Sequence, residues 1–302
     1  LTQALDSYEV IPSISEEEQQ AKANAELLQA YLSAKKIEGC SEKTIGYYQS
    51  TIDTLFVAVC KPVCDVTTND IRNYLSGYQE QRKVSRVTID NMRRIFSSFF
   101  AWLEDEDFIV KSPVRRIHRV RTESLVKEVL TDENMEVLRD SCQEIRDIAM
   151  IDLLASTGMR VGELVNLNRE DIDFHERQCV VFGKGNKERE VYFNARTKIH
   201  LQNYLSSRTD DNPALFVSLS NPHSRLSISG VEVRLRTLGR KVNIAKVHPH
   251  KFRRTLATMA IDKGMPIEQV QRLLGHVKID TTLHYAMVNQ NNVKMAHRKY
   301  IG

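Results

Sequence analysis

The chain has 302 residues, of which 41% are hydrophobic and 27% charged, and its formal net charge is +4. This length allows two domains with separate cores, and the mildly basic balance is compatible with a polyanionic partner without requiring one. No run approaches the roughly 20 apolar residues that a membrane helix needs, so we expect no membrane partner.

The amino-terminal part predicts an acidic segment followed by a helical domain. Residues 1–20 contain five acidic residues and no lysine or arginine, so we expect this segment to avoid nucleic acid. Four helical stretches follow, with Ser41 and either Thr67 or Thr68 as candidate N-caps. Residues 21–108 are therefore predicted to form an all-helical domain. The fourth stretch places seven apolar residues on one face: Ile89, Met92, Ile95, Phe96, Phe99, Phe100 and Leu103.

A basic segment follows, and residues 109–130 are predicted to link two domains. Its first part has no acidic residue between positions 111 and 121 and contains a proline that resists helix formation. An ordinary solvated linker is one interpretation, but the single sign of the charge favours an arm that follows a nucleic-acid backbone. The candidate backbone-binding residues are Lys111, Arg115, Arg116, Arg119 and Arg121.

Residues 131–302 predict a second domain that combines helices with a small β-hairpin or sheet. Thr131 can cap a first helix, and a long buried helix is expected to end at Gly158. Between Gln178 and Phe193, two β-rich runs flank a Gly-Lys-Gly-Asn turn, which indicates a hairpin. Four further helices follow, so the fold class is mainly α with two domains.

Two polar groups in this domain are not required by a packed core. Arg160 comes directly after the helix stop, and Glu163 is three residues further on the same helical side, where it could hold the guanidinium. Taken alone, this pair could be an ordinary surface ion pair. Lys184 is predicted at the tip of the hairpin, where a solvated lysine is common.

Another polar pair opens a later helix. Pro249 fits the first turn of that helix, and His250 and Arg253 are three residues apart, so both are expected to point to the same side, outward from the start of the helix. The neighbouring histidine could suggest a metal, but no carboxylate or cysteine lies close in sequence. We therefore predict no metal here.

A last polar pair surrounds a helix junction near the end of the chain. Gly275 is expected to stop one helix, and His276 follows it in the turn. Asp280 or Thr281 is the predicted cap of the next helix, which would put Tyr285 about one turn inside it. Either packing at a junction or two halves of an active site could explain this pattern.

Together these residues suit chemistry on a phosphate. Guanidinium groups can hold non-bridging oxygens in a fixed geometry, a tyrosine can be the nucleophile, and a lysine or histidine can protonate the leaving oxygen. Clustered carboxylates for two-metal catalysis and a Walker-type glycine loop are both missing from the sequence. The five cysteines are scattered, which favours reduced thiols in a cytoplasm, and the pair Cys60 and Cys64 has no partner pair for zinc.

The motifs "TGMRVGELVNL", "GKGNKER", "HPHKFRRTLAT" and "LLGHVKIDTTLHY", in this order, resemble the tyrosine recombinase (phage integrase) family. The similarity is greatest to the simple Xer-like and transposon-encoded members. It spans a catalytic domain over about residues 131–290, and residues 21–108 resemble the helical, SAM-like core-binding domain of the family. The resemblance implies that the two domains form a C-shaped clamp around DNA.

The resemblance also implies a set of site residues. Arg254 stands where many members have histidine, Lys187 is the alternative to Lys184, and Tyr300 lies outside the motif. Glu163 is expected to support the first arginine. The implied catalytic residues are Arg160, Lys184, His250, Arg253, His276 and the nucleophile Tyr285.

The implied activity is site-specific recombination through a 3′-phosphotyrosyl link and a Holliday junction, without metal, ATP or another cofactor. The implied partners are duplex DNA with a specific core site, a homotetramer that exchanges a segment at about residues 290–302, and accessory DNA-bending or directionality proteins. A location in the bacterial cytoplasm, at the nucleoid, would follow. A type IB topoisomerase-like enzyme and a catalytically inactive DNA-binding member are the alternatives.

Overall fold

The computed structural model describes residues 16–121, 128–183 and 188–286, with side chains from Glu18 to Leu283 outside the two internal gaps. The chain divides into two compact units, Leu1–Ser124 and Leu125–Gly302, called here the helical unit and the catalytic unit. Each is described by itself. Across the described residues, no helix combines the length and apolar character needed to cross a membrane.

The described part of the helical unit contains four α-helices. The predicted caps are confirmed: Ser41 accepts a hydrogen bond from the Thr44 amide, and Thr67, not Thr68, caps the third helix through a reciprocal pair with Asp70. The helices are α1 (Glu16–Ile37), α2 (Glu42–Val59), α3 (Thr68–Arg82) and α4 (Arg86–Asp105).

The core of the helical unit is apolar and rich in aromatic rings. All seven residues predicted for the inner face of α4 are buried. Phe99 lies at its centre, with ring centroids 5.1 Å from Tyr31, 6.0 Å from Phe56 and 5.4 Å from Phe100. Edge and tilted ring contacts of this kind add to the free energy gained from burying the rings.

The first part of the basic segment packs onto this core. Val114 is buried, and Ile117 and Val120, each three residues further along, also pack against the helical unit. The Ser112 amide donates to Glu104 and the Val120 amide donates to Asp90. The five basic residues predicted to bind DNA are all exposed, so the segment buries its apolar side and presents its basic side to solvent.

The catalytic unit confirms the predicted combination of helices and a small sheet. Thr131 caps its first helix, and the buried second helix ends at Gly158 in the left-handed conformation (φ 59°). The helices are α5 (Asp132–Asp140), α6 (Ile145–Thr157), α7 (Val161–Asn166), α8 (Ala195–Ser207), α9 (Ile228–Lys241), α10 (Pro249–Asp262), α11 (Ile267–Leu274) and α12 (Ile279–Ala286).

Three antiparallel strands form the sheet: β1 (Ile172–Asp173), β2 (Gln178–Phe182) and β3 (Glu188–Tyr192). The two longer strands form the predicted hairpin, in which Cys179 pairs with Val191 and Val181 with Arg189. Cys179, Val181 and Val191 are buried, so one face of the hairpin joins the core of the unit. Strand alternation directs Arg189 to that same inner face.

Candidate active site

The site is built around the carboxyl end of α11. The last carbonyls of a helix have no partner within the helix and carry the negative end of its dipole, so they attract cations. Three consecutive carbonyls here each accept a hydrogen bond from an arginine. Leu273 accepts from Arg189, Leu274 from Arg253 and Gly275 from Arg160.

Arg253 joins two helix ends. Its Nη1 donates to the carbonyl of Gly158, at the end of α6, at 2.7 Å, and its Nη2 donates to the carbonyl of Leu274 at the end of α11. The residue is only 3% exposed. The sequence predicted a guanidinium that pointed outward beside His250; Arg253 is instead buried because these carbonyls lie on the inner side of α10.

Arg160 precedes α7 and is held by Glu163, as predicted. The Glu163 carboxylate accepts from the Arg160 amide at 2.7 Å and from its Nη1 at 2.9 Å, while Nη2 of the same arginine reaches the Gly275 carbonyl at 3.1 Å. The Arg160 side chain keeps 35% of its surface exposed. It is therefore anchored at one end and still open to a ligand.

Arg189 is a second partner of the same carboxylate, and the sequence prediction missed it. Its Nη1 and Nη2 bind the two Glu163 oxygens at 2.6 and 2.7 Å, which is the bidentate geometry of a strong arginine–carboxylate pair. A usable signal was present: alternation in β3 puts Arg189 on the face of Val191, and an inward arginine requires a buried acceptor.

Glu163 remains ionised although it is 5% exposed. Burial alone would raise the pKa of its carboxyl, but the hydrogen bonds from Arg189 and from the Arg160 amide outweigh burial and hold that pKa below its ordinary value. Its charge is needed to keep the two guanidinium groups close together. Arg160, Arg189 and Arg253 carry three positive charges against the single negative charge of Glu163, which favours an anion.

His276 follows these carbonyls in the turn. Its Nδ1 lies 2.9 Å from the hydroxyl of Thr282, which is fully buried in α12. Burial, followed by the nearby charges of Arg253 and Arg160, lowers the pKa of His276 to about 4. The imidazole is thus neutral near pH 7, and its contact with Thr282 fixes the ring relative to the last helix.

The turn before α12 differs from the prediction in one respect. Gly275 stops α11 in the left-handed conformation, as expected, but α12 begins at Ile279 and includes both proposed caps, Asp280 and Thr281. The reason is local: the Thr281 amide already donates to the Lys278 carbonyl at 3.2 Å, which closes a turn earlier. Tyr285 therefore lies in the second turn of α12, more than one full turn after its start.

Of the remaining predicted residues, His250, Cys60 and Cys64 lie in the described part of the chain. His250 is exposed in the first turn of α10, three residues before Arg253. Lys184 and its alternative Lys187 lie outside the described residues, between β2 and β3, and Tyr300 and the segment 290–302 also lie outside them. Cys60 and Cys64 are free, exposed thiols in the helical unit.

Arg254, which stands where many members of the resembled family have histidine, has a structural partner. Its guanidinium donates to the carbonyl of Glu128, through Nε at 3.0 Å and also through Nη2. The next residue, Thr255, accepts from the Leu130 amide at 2.9 Å. The helix that carries His250 and Arg253 therefore also holds residues 128–130, where the chain enters the described part of the catalytic unit.

The chain is similar to several known proteins. A family model described as "Phage integrase family" matches residues 128–292, and one described as "Phage integrase, N-terminal SAM-like domain" matches residues 27–109. A curated "Tyrosine recombinase XerC" from Staphylococcus aureus (strain bovine RF122 / ET3-1) is 30% identical over 284 residues, which cover 89% of this chain and 94% of that protein.

Solved structures with the same arrangement of elements include a crystal structure of XerA recombinase. It is 28% identical with a TM-score of 0.53, and the match covers 92% of this chain and 98% of that one. The Tn1549 transposon integrase, solved in complex with transposon right end DNA, has a TM-score of 0.75 at 20% identity and covers 91% and 99% of the two chains. This second likeness supports the fold alone.

Proposed function

Because the chain belongs to the phage integrase family of tyrosine recombinases, which transfer DNA strands, we propose that Tyr285 is its nucleophile in site-specific recombination. The six proposed catalytic residues are Arg160, Lys184, His250, Arg253, His276 and Tyr285. The observation that carries this proposal is the convergence of Arg160, Arg253 and His276 on the turn between α11 and α12, the helix that contains Tyr285.

The proposed first step exchanges one phosphate ester for another. The Tyr285 oxygen attacks the scissile phosphorus and forms a 3′-phosphotyrosyl bond while the bond to the 5′-oxygen breaks. His250 accepts the phenol proton and Lys184 gives a proton to the departing oxygen, so that a 5′-hydroxyl is released. Arg160 and Arg253 stabilise the charge that grows on the non-bridging oxygens.

His276 is proposed to donate a hydrogen bond to the phosphate. A neutral imidazole that accepts a hydrogen bond from the Thr282 hydroxyl at Nδ1 carries its own proton on Nε2, where it can reach an anion. The 5′-hydroxyl of a partner strand then attacks the phosphotyrosyl bond, restores the phosphodiester and frees Tyr285. Two such exchanges make and resolve a Holliday junction, and the reaction needs no ATP because the ester energy is retained.

The proposed partner is duplex DNA with a specific core site. In support, a lambda integrase dimer has been solved bound to a COC′ core site, and XerH recombinase bound to a palindromic difH substrate. We further propose assembly as a homotetramer on two duplexes with exchange of about residues 290–302, help from DNA-bending or directionality proteins, and action at the bacterial nucleoid.

A covalent-adduct assay tests the nucleophile. Duplex fragments from the DNA that flanks the gene are incubated with protein, and adducts are detected as a shift that survives SDS but not protease. Tyr285→Phe removes the attacking oxygen, so we expect it to abolish the adduct. Tyr300→Phe is the matched control and should form as much adduct as the unchanged chain. An adduct that persists in Tyr285→Phe would overturn the assignment.

The same reactions separate the alternatives. Recombination predicts Holliday junctions and exchanged products when two site-containing duplexes are present. Plasmid relaxation without junctions would favour a type IB topoisomerase-like enzyme. Specific binding with no adduct on any fragment would favour an inactive DNA-binding member.

The basic segment is proposed to bind the DNA backbone. Neutralised phosphates release counterions, so each lost contact should lower the slope of log affinity against log salt by about 0.9. We expect Arg116→Gln and Arg119→Gln each to weaken binding and to flatten that slope in a salt titration. Lys83→Gln, an exposed lysine after α3, serves as the control, and equal slopes in all variants would contradict the proposal.

A further inference from the structure

Glu163 forms as many hydrogen bonds as a carboxylate can usually accept. Each oxygen offers two lone-pair directions. Oε1 accepts from Nη1 of Arg160 and Nη1 of Arg189, and Oε2 accepts from the Arg160 amide and from Nη2 of Arg189. The bidentate position on this carboxylate is therefore occupied by Arg189, and the Arg160 side chain makes a single hydrogen bond to it.

That division of contacts matters for Arg160. A guanidinium next to a buried carboxylate tends to form the paired, fork-like contact, which would use two of its donors and turn it toward the protein. Because Arg189 fills that position, Arg160 reaches Glu163 through Nη1 alone and extends Nη2 toward the Gly275 carbonyl. Its exposed portion remains available to an anion.

Arg189 also ties the hairpin to the turn. Its side chain lies against Gly275 so closely that a Cβ on that glycine would be 2.8 Å from the Arg189 Cδ and 3.1 Å from its Nε. Arg189 is the second residue of β3, the second long strand of the hairpin. One side chain of the hairpin thus contacts both the Glu163 carboxylate and the turn that leads to His276.

We propose that Arg189 is a positioning residue for strand cleavage: by occupying Glu163 in bidentate fashion, it keeps Arg160 free to bind the scissile phosphate. This inference rests on the proposed function, because it assigns Arg160 to that phosphate. Arg189 itself is only partly exposed, with 11% of its side-chain surface accessible, and acts through Glu163 and Arg160 rather than by touching the DNA.

The test compares cleavage with binding in Arg189→Lys. Lysine keeps the positive charge but is a point donor that cannot pair with both carboxylate oxygens. We expect the rate of adduct formation at saturating DNA to fall roughly ten- to hundredfold, the effect of weakening one preorganised donor, while the dissociation constant changes by less than about threefold. Arg272→Lys, an exposed arginine on α11, is the matched control and should match the unchanged chain in both measurements.

A second substitution, Glu163→Gln, distinguishes a positioning role of Arg189 from a purely structural role. In Glu163→Gln the competing negative charge is gone, so Arg160 is no longer drawn into a paired contact. We therefore expect Arg189→Lys to cost no more than about threefold in cleavage when it is added to Glu163→Gln, a strongly non-additive double-mutant cycle. A merely structural Arg189 would cost as much in that background as in the unchanged chain.

Unchanged cleavage in Arg189→Lys, or a loss that Glu163→Gln does not reduce, overturns the proposal. Thermal melting by circular dichroism identifies a variant that does not fold, in which case Arg189→Gln replaces it; failure of both variants to fold would assign Arg189 to the fold and also overturn the proposal. If the unchanged chain forms no adduct, the proposed function fails instead, and that result is visible before any Arg189 variant is made.

Discussion

The two units of this chain bury different kinds of side chain. Among the described residues, the buried polar side chains of the helical unit are all uncharged, and its core consists of aliphatic and aromatic groups. The catalytic unit buries six charged residues: Arg146, Asp147, Asp152, Glu163, Lys251 and Arg253. A unit that only packs and offers a surface can avoid the cost of removing charges from water, whereas a unit that must fix guanidinium groups cannot.

Each buried charge in the catalytic unit has partners. Asp147 pairs with Arg146 at 2.8 Å and with Arg234 at 2.5 Å, and Lys251 donates to the Ala245 carbonyl at 2.9 Å. Arg253 donates to backbone carbonyls at the ends of two helices, α6 and α11. Backbone carbonyls therefore make much of the polar framework of this unit, and they complement positive charge without adding negative charge.

The largest change in free energy should come from a substitution in the apolar core of the helical unit. Phe99→Ala leaves a cavity among Tyr31, Phe56 and Phe100, and we expect it to lower the free energy of unfolding by about 3–5 kcal/mol. Trp102, the single tryptophan of the chain, lies in α4 and reports unfolding of this unit by fluorescence in urea. Val57→Ala, at a site 78% exposed, is the control and should change the same quantity by less than about 0.5 kcal/mol. Equal shifts in the two variants would contradict the expectation.

In the catalytic unit we expect a smaller energetic effect, which appears as a loss of cleavage rate and not as a loss of stability in the helical unit. Arg253→Gln removes the guanidinium that joins α6 to α11, and the rate of adduct formation should fall about 10²–10³-fold, the loss of roughly 3–4 kcal/mol of transition-state stabilisation. The Trp102 unfolding curve should stay unchanged, since that probe reports the other unit. The control is Arg236→Gln on the exposed side of α9, and a similar loss of cleavage there would refute the special role of Arg253.

The smallest of the three effects is a pH dependence confined to the catalytic unit. The pKa of His276 is about 4 in the folded chain and near 6.5 in an unfolded one, so the unfolded state binds more protons between these values. Stability from this group is complete above pH 6.5 and is lost as the pH falls toward 4. We expect the melting temperature of the unchanged chain to fall more steeply between pH 7 and pH 5 than that of His276→Asn; parallel curves would contradict this.

Much of the fold follows from local sequence. The inner face of α4, the caps Ser41 and Thr131 and the stop at Gly158 are all found where periodicity and capping chemistry predict them. These features depend on residues within one or two helical turns of each other. A single sequence is therefore enough to predict them.

Most residue types of the site were predictable, but only one of its contacts was. The pair of Arg160 with Glu163 is only three residues apart and was foreseen. Arg189 and the buried position of Arg253 were not, because their partners are distant in sequence and include backbone carbonyls, which every residue carries and no side chain reveals. The packing of the basic segment onto the helical unit likewise depends on apolar residues spaced among its arginines.

The close contact between Arg189 and Gly275 has an evolutionary consequence. A larger residue at position 275 would meet the Arg189 side chain and would also adopt a left-handed backbone (φ 62°) that favours glycine. A shorter residue at position 189 would relieve the collision only by giving up the paired contact with Glu163. The three positions should therefore behave as one inherited unit, retained together across active relatives and altered together in lineages that have lost cleavage.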